Sequence, residues 1–217
     1  MVTKNQRRLL VISELVTNGR PEYAPLYSFL DQNGTKLAKS MLSDHYAEIK
    51  VLTGAQVTPV NCVKKLEALC KKPGTKAVDM IIQVHGSWVS LWFYGNHHKT
   101  IVSFCGMIAA RNLRKKLRLC YSLACYGADH NHSWLKAGFT TASGARGVNC
   151  NSATDFPAQL FAWGHGEKYD DCVKSGNSEP GLSIADFAGN KMGFGSADSY
   201  KLIQGNELLT ISSEADD

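Results

Sequence analysis

The sequence predicts an α/β fold: a mostly parallel sheet covered by helices on both faces. Three observations lead there. Compact apolar runs rich in Val, Ile and Leu recur along the chain, and segments with apolar residues at helical spacing lie between them. The strongest runs are apolar throughout instead of alternating, which marks strands buried on both faces. The 217 residues are 44% hydrophobic and 20% charged, so collagen-like, coiled-coil and wholly disordered chains are excluded. A chain of this length can bury a sizeable core without covalent staples.

The elements follow in order. RLLVIS at 8–13 is a compact apolar run ended by polar residues, a buried strand. After a turn-rich stretch with Gly19, Pro21 and Pro25, residues 34–46 place Leu37, Met41 and Tyr46 at helical spacing. EIKVLT at 48–53 is the second strand. Residues 60–72 carry Val63, Leu66 and Leu69 on one helical face, with Lys71 and Lys72 where cations suit the helix dipole, and Pro73-Gly74 stops the helix. The strongest strand is 77–84, ending at His85-Gly86. Residues 88–93 and 100–104 read as a hairpin around Gly95-Asn96. A helix over 107–116 feeds the strand LRLCYSLA at 117–124, which ends at Cys125. A strand at 139–145, helices at 156–163 and 167–174, and a hairpin of 200–203 with 208–211 around Gly205-Asn206 complete the chain.

No apolar run reaches the ~18 residues a membrane span needs. The N-terminus is basic then apolar, but Ser13 and Glu14 interrupt it and no small-residue cleavage site follows, so it reads as a strand and the protein as cytoplasmic. The seven cysteines are odd in number and contain no CxxC pair, so neither a disulfide framework nor a zinc ribbon is suggested. The net charge is +5, and the most basic stretch is 111–118. Ala109 and Leu113 share a helical face there, so a solvated amphipathic helix is expected. A nucleic-acid patch is the weaker alternative because few aromatics interleave with the charges. His130 and His132 lie i, i+2 in an expected loop, and with Asp129 they have the makings of a chelate. Solvated loop histidines are the commoner case, so no metal is assigned. No Gly-rich stretch matches a nucleotide-binding motif, and the four tryptophans are too scattered for a stacking platform.

Two buried strands end in reactive residues. In a parallel sheet, ligands bind beyond the carboxyl ends of the strands, so His85 and Cys125 would emerge at one edge if their strands are neighbours. A thiol beside an imidazole is the pairing nucleophilic thiol catalysis requires. Gly86, lacking a side chain, lets its N–H approach a substrate oxygen, and with the N–H of Cys125 it forms a candidate oxyanion hole.

An apolar block ending in His-Gly, followed by an apolar block ending in Ala-Cys, resembles the caspase-like cysteine peptidases (clan CD), which include caspases, metacaspases and the bacterial CHAT peptidases. The opening strand RLLVIS, the VHG and LAC strand ends, TTASGARG at 140–147 and FPAQLFAWGHG at 156–166 fall in the family's order. The resemblance implies a three-layer α/β/α sandwich with a mostly parallel central sheet, one peptidase domain over 1–217. Its core is about 7–176, and 177–217 is a C-terminal extension with a hairpin and a frayed acidic tail. It implies a cysteine endopeptidase with His85 and Cys125 as the dyad and Gly86 and Cys125 as oxyanion donors. It implies no cofactor, although calcium switches on some relatives. The substrate would be a protein or peptide, and activation would depend on a partner or another domain; no membrane is expected, and nucleic acid stays the weaker alternative carried by residues 111–118. The alternative is an inactive caspase-fold module that binds a peptide or protein at the same edge.

The chain departs from the family in three places. Where caspases carry a polar Gln two residues before the cysteine, this chain has Leu123, and Tyr-Gly-Ala-Asp follows Cys125. Neither caspase nor metacaspase preference therefore carries over. No long Asp-rich segment follows the cysteine, so a single-chain enzyme is expected. By resemblance, residues 140–147 and 148–155 should line the specificity pocket. Arg146 there would favour an acidic substrate side chain, whereas Asp155 or Asp129 would favour a basic one, with a slight edge to the basic.

Overall fold

Strand β1 (Arg7–Glu14) sets the plan of the molecule. Its alternate residues face opposite ways, Leu10 and Ile12 into one hydrophobic core and Leu9 and Val11 into another. That two-sided burial is why the run is apolar throughout. The structure is a computed structural model that describes residues 1–215. After β1 come α1 (Ala24–Leu42), β2 (Glu48–Thr53), α2 (Pro59–Lys71), β3 (Ala77–Val84), the hairpin of β4 (Ser90–Phe93) and β5 (His97–Thr100), and α3 (Ile101–Ala109). Then follow β6 (Leu117–Ser122), α4 (Gly127–Ala137), β7 (Thr141–Ala145), α5 (Asp155–Gly164), α6 (Tyr169–Asn177), α7 (Gly181–Lys191) and β8 (Lys201–Gly205).

The main sheet has six strands in the order β2-β1-β3-β6-β7-β8, parallel except for β8, which runs antiparallel to β7. Helices α2, α3 and α4 seal one face through Leu66, Phe104 and Trp134. Helices α1, α5 and α6 seal the other through Leu42, Phe156 and Val173. This is the expected α/β/α sandwich. The strand order reverses between β1 and β3, so the crevice where ligands bind in such sheets opens beyond the carboxyl ends of those strands. Among the described residues, no helix is long and apolar enough to cross a membrane.

A buried ion pair joins the sheet to the C-terminal segment. β6 bulges against β3 between Val78 and Met80, and the extra residue brings both Arg118 and Leu119 to Asp79. Arg118 Nε and the Leu119 N–H donate to Asp79 Oδ1 at 2.9 and 3.2 Å, and the Tyr46 hydroxyl donates to Oδ2. Arg118 also donates to the carbonyls of Ile211 and Ser213, and Arg7 donates to Ile211 at 2.9 Å. Leu209 and Ile211 are buried in the second core.

Several sequence expectations are corrected. Helix α1 begins at Ala24, well before residue 34, because Pro25 occupies the first turn, where its missing N–H costs nothing. Residues 101–104 are helical, not strand: Thr100 caps α3 by accepting from the Ser103 N–H at 3.2 Å. α3 ends at Ala109 and Asn112 takes φ 54°, so 111–118 is no amphipathic helix. Its charges are largely engaged, Arg118 with Asp79, Arg111 with Glu67 at 3.5 Å, and Lys116 with the Cys70 carbonyl at 2.7 Å. Residues 208–211 form turns instead of the second arm of a hairpin. The expected frayed tail is pinned as far as Ala215: Ser212 accepts from the Val2 N–H at 2.7 Å and Ala215 is buried. Asp216 and Asp217 lie outside the described residues. Helices α4 and α7 went unanticipated. α4 starts from a left-handed Tyr126 without a capping side chain, and α7 buries only Gly189, so neither shows the usual start signal or apolar stripe.

Candidate active site

β3 and β6 are hydrogen-bonded neighbours with Ile82 opposite Ser122. The Leu123 N–H donates to the Ile82 carbonyl at 2.8 Å, so the ladder continues past the strand ends. His85 and Cys125 lie equally far beyond that level, and both line a cleft of about 230 Å³. Each is held by its own strand end. The His85 carbonyl accepts from the Trp92 N–H at 3.0 Å, and Tyr126, at φ 55°, turns the chain sharply after Cys125 into α4. The close packing of α4 on β7 needs glycines on both sides: a Cβ on Gly144 would sit 2.3 Å from the Gly127 carbonyl carbon.

The electrostatics define the resting state. His85 Nε2 lies 2.8 Å from the Leu15 carbonyl oxygen. A carbonyl only accepts, so Nε2 carries the hydrogen and Nδ1 is the ring atom free to take a proton. Burial pulls the His85 pKa below its usual 6.5, against the opposing pull of the Leu15 carbonyl and the Glu14 charge, so the imidazole is neutral at pH 7. The Tyr27 ring meets it edge-on, centroids 5.0 Å apart. Burial likewise pushes the Cys125 thiol above its ordinary value of 9.0. Backbone N–H groups of Asn149, Cys125 and Gly86, with the Lys201 charge, work in the other direction. The pair at rest is a thiol and a neutral imidazole with backbone donors converging on the sulfur.

Gly86 stands where a side chain cannot: a Cβ there would lie 2.5 Å from the Cys125 carbonyl oxygen. Its loop is anchored by His130, fully buried on α4, whose Nε2–H donates to the Ser87 carbonyl at 2.7 Å. A Gly86→Ala substitution should force the two strand ends apart, and thermal unfolding should show that strain as a lowered Tm. An unchanged Tm would show that the loop can move aside to make room for the methyl group.

The three pocket candidates do not join His85 and Cys125 in the cleft. Asp155 is fully buried at the start of α5 and paired with Lys201 Nζ at 2.6 Å, a structural pair beneath the site. Arg146 is exposed, bonded to Asp198 at 2.9 Å and stacked over Tyr200. Asp129 is exposed in the first turn of α4. Nor do Asp129, His130 and His132 form a chelate. His130 is buried and engaged, His132 is exposed, and among the described residues no group of three His, Cys, Asp or Glu could hold a metal ion.

Sequence reasoning missed the Leu15 carbonyl, a main-chain group with no residue signature, and Asn149. Asn149 sits in the loop expected to line the site. Its side chain donates to the Leu123 carbonyl at 2.8 Å and accepts from Lys201 at 3.1 Å, so it holds that loop against the strand end that carries Cys125.

No protein-family model and no curated protein matches the sequence. In three dimensions the chain is similar to the crystal structure of caspase-1 from Spodoptera frugiperda, with a TM-score of 0.63 at 12% identity, over 99% of this chain and 92% of that one. The fold is caspase-like. At that identity the likeness concerns the fold alone.

Proposed function

We propose that the protein is a cysteine endopeptidase that works through Cys125 and His85. The observation that carries this reading is the placement of the two residues, level on neighbouring parallel strands and lining one cleft. Cys125 Sγ attacks the scissile carbonyl carbon while its proton passes to His85 Nδ1. The N–H groups of Gly86 and Cys125 hold the oxyanion. The carbon–nitrogen bond then breaks, and His85 gives the proton to the departing amine. Water, deprotonated by the same imidazole, hydrolyses the thioester and restores the thiol. Specificity is sequence-restricted. The seven unpaired thiols suit the reducing cytoplasm.

Because the resting pair is neutral, the reaction is general-base catalysed. kcat/KM should rise through an apparent pKa below 6.5, as His85 loses its proton, and stay high toward pH 9. Iodoacetamide labelling mapped by peptide mass tests the pair directly. Cys125 should react well ahead of Cys62, Cys70, Cys150 and Cys172, all pushed up to about 12 by burial. The Cys125 rate should climb with pH and drop in a His85→Ala variant. Slow labelling that ignores His85 would favour the other reading, a caspase-fold module that binds a peptide without cutting it.

A further inference from the structure

Resting on the peptidase reading, we infer that the enzyme cleaves after an uncharged, apolar residue, whose side chain enters the cleft between α1 and α7 beside Cys125. While the acyl group is attached to Sγ, the side chain on its α-carbon must lie against whatever wall adjoins the sulfur. Leu123 is two residues before Cys125, and both line the cleft. Leu26 and Leu30 of α1, Ala188 of α7 and Met192 complete the apolar wall. Among the described residues, no aspartate, glutamate, lysine or arginine lines it.

Four charged side chains are engaged elsewhere or stand apart. Arg146 is paired with Asp198 and Asp155 with Lys201, while Asp129 stands exposed on α4. Arg20 stacks over the Phe194 ring at 4.9 Å and donates to the Gly193 carbonyl at 3.0 Å. Two of the neutral polar groups of the wall are engaged too: Gln83 accepts from the Ser13 hydroxyl at 3.2 Å, and Asn149 bonds Leu123 and Lys201. An acidic or basic substrate side chain would enter dehydrated and without a counter-ion, whereas an apolar one gains from the same dehydration.

Quenched peptides that differ only in the residue on the acyl side of the cleaved bond test this. Leu and Phe peptides should show kcat/KM at least ~100-fold above those with Asp or Arg. Peptidyl acyloxymethyl ketones carrying the same four residues provide a readout independent of turnover, through the mass they add to Cys125, and should follow the same order. Met192, part-exposed at the end of α7, offers a variant that spares the core. Met192→Lys should raise the Asp peptide relative to the Leu peptide by about tenfold through the new counter-charge. Asp or Arg peptides cut as fast as the Leu peptide, or an unmoved ratio in Met192→Lys, would overturn the inference while leaving the peptidase standing. Neither cleavage nor capture with any of the four would overturn both.

Discussion

Replacing Cys125 with alanine should lower kcat/KM for peptide hydrolysis by roughly 10⁵-fold, and replacing His85 with alanine should cost nearly as much. The reason is chemical. With the imidazole neutral and the thiol above its usual pKa, neither group is useful alone. The thiol needs Nδ1 to take its proton at the moment of attack, and the imidazole without a thiol activates nothing covalent. The two losses should therefore not add. A Cys125→Ala/His85→Ala double variant should be no worse than the worse single one, because groups that act as a unit fail as a unit. Losses that multiply in the double variant would mean that the residues work in separate steps, and hydrolysis that survives Cys125→Ala would end the thiol mechanism. Substrate binding, measured by fluorescence anisotropy with an uncleavable peptide, should stay within a few-fold in both variants, since the apolar wall of Leu26, Leu30, Leu123 and Met192 is untouched.

The largest stability effect should come from Asp79, far from the site. Its carboxylate receives Arg118, Tyr46 and the Leu119 N–H, and Arg118 in turn ties down the carbonyls of Ile211 and Ser213. Both side chains of the pair are essentially shut off from solvent. Asp79→Ala leaves the guanidinium buried without its counter-ion and should cost about 3–5 kcal/mol, a large part of the roughly 5–15 kcal/mol that holds an ordinary domain together. Urea unfolding should show the loss, and it should persist in high salt, because a sealed pair is poorly screened. Lys174→Ala, which breaks an exposed helix-surface pair with Asp170, should leave the urea midpoint essentially unchanged. A loss below ~1 kcal/mol at Asp79 would show that water or a neighbour can replace the carboxylate. Proteolysis should meanwhile find residues 206–215 more readily in Asp79→Ala, since that segment is held through Arg118.

Much of the layout was legible because it is local. β2 and β3 fall where EIKVLT and AVDMIIQV begin and end, and α2 lies within a residue of expectation, stopped by Pro73-Gly74. The turn between β4 and β5 contains Gly95 and Asn96, as their preference for positive φ suggested, yet the second strand came out shifted because Thr100 caps a helix. In the site, His85 and Cys125 were readable as strand ends, and Gly86 as a place where a Cβ would be in the way. The charged candidates were not. Nothing local distinguishes Asp155, sealed against a lysine from β8, from an aspartate facing solvent. Likewise, nothing in RKKLRLC says that its last arginine turns inward to Asp79.

The sequence by itself determined most of the strands, the sandwich they build and the placing of His85 and Cys125 at strand ends. Apolar periodicity and turn chemistry are properties of neighbouring residues, and a strand end lies where its run ends. Only the tertiary structure decided which charges are internal ties, which carbonyl orients His85, and that the wall beside Cys125 is apolar. Those outcomes depend on partners brought together from far along the chain, and the free energy of burying a charge is set by the partner it finds.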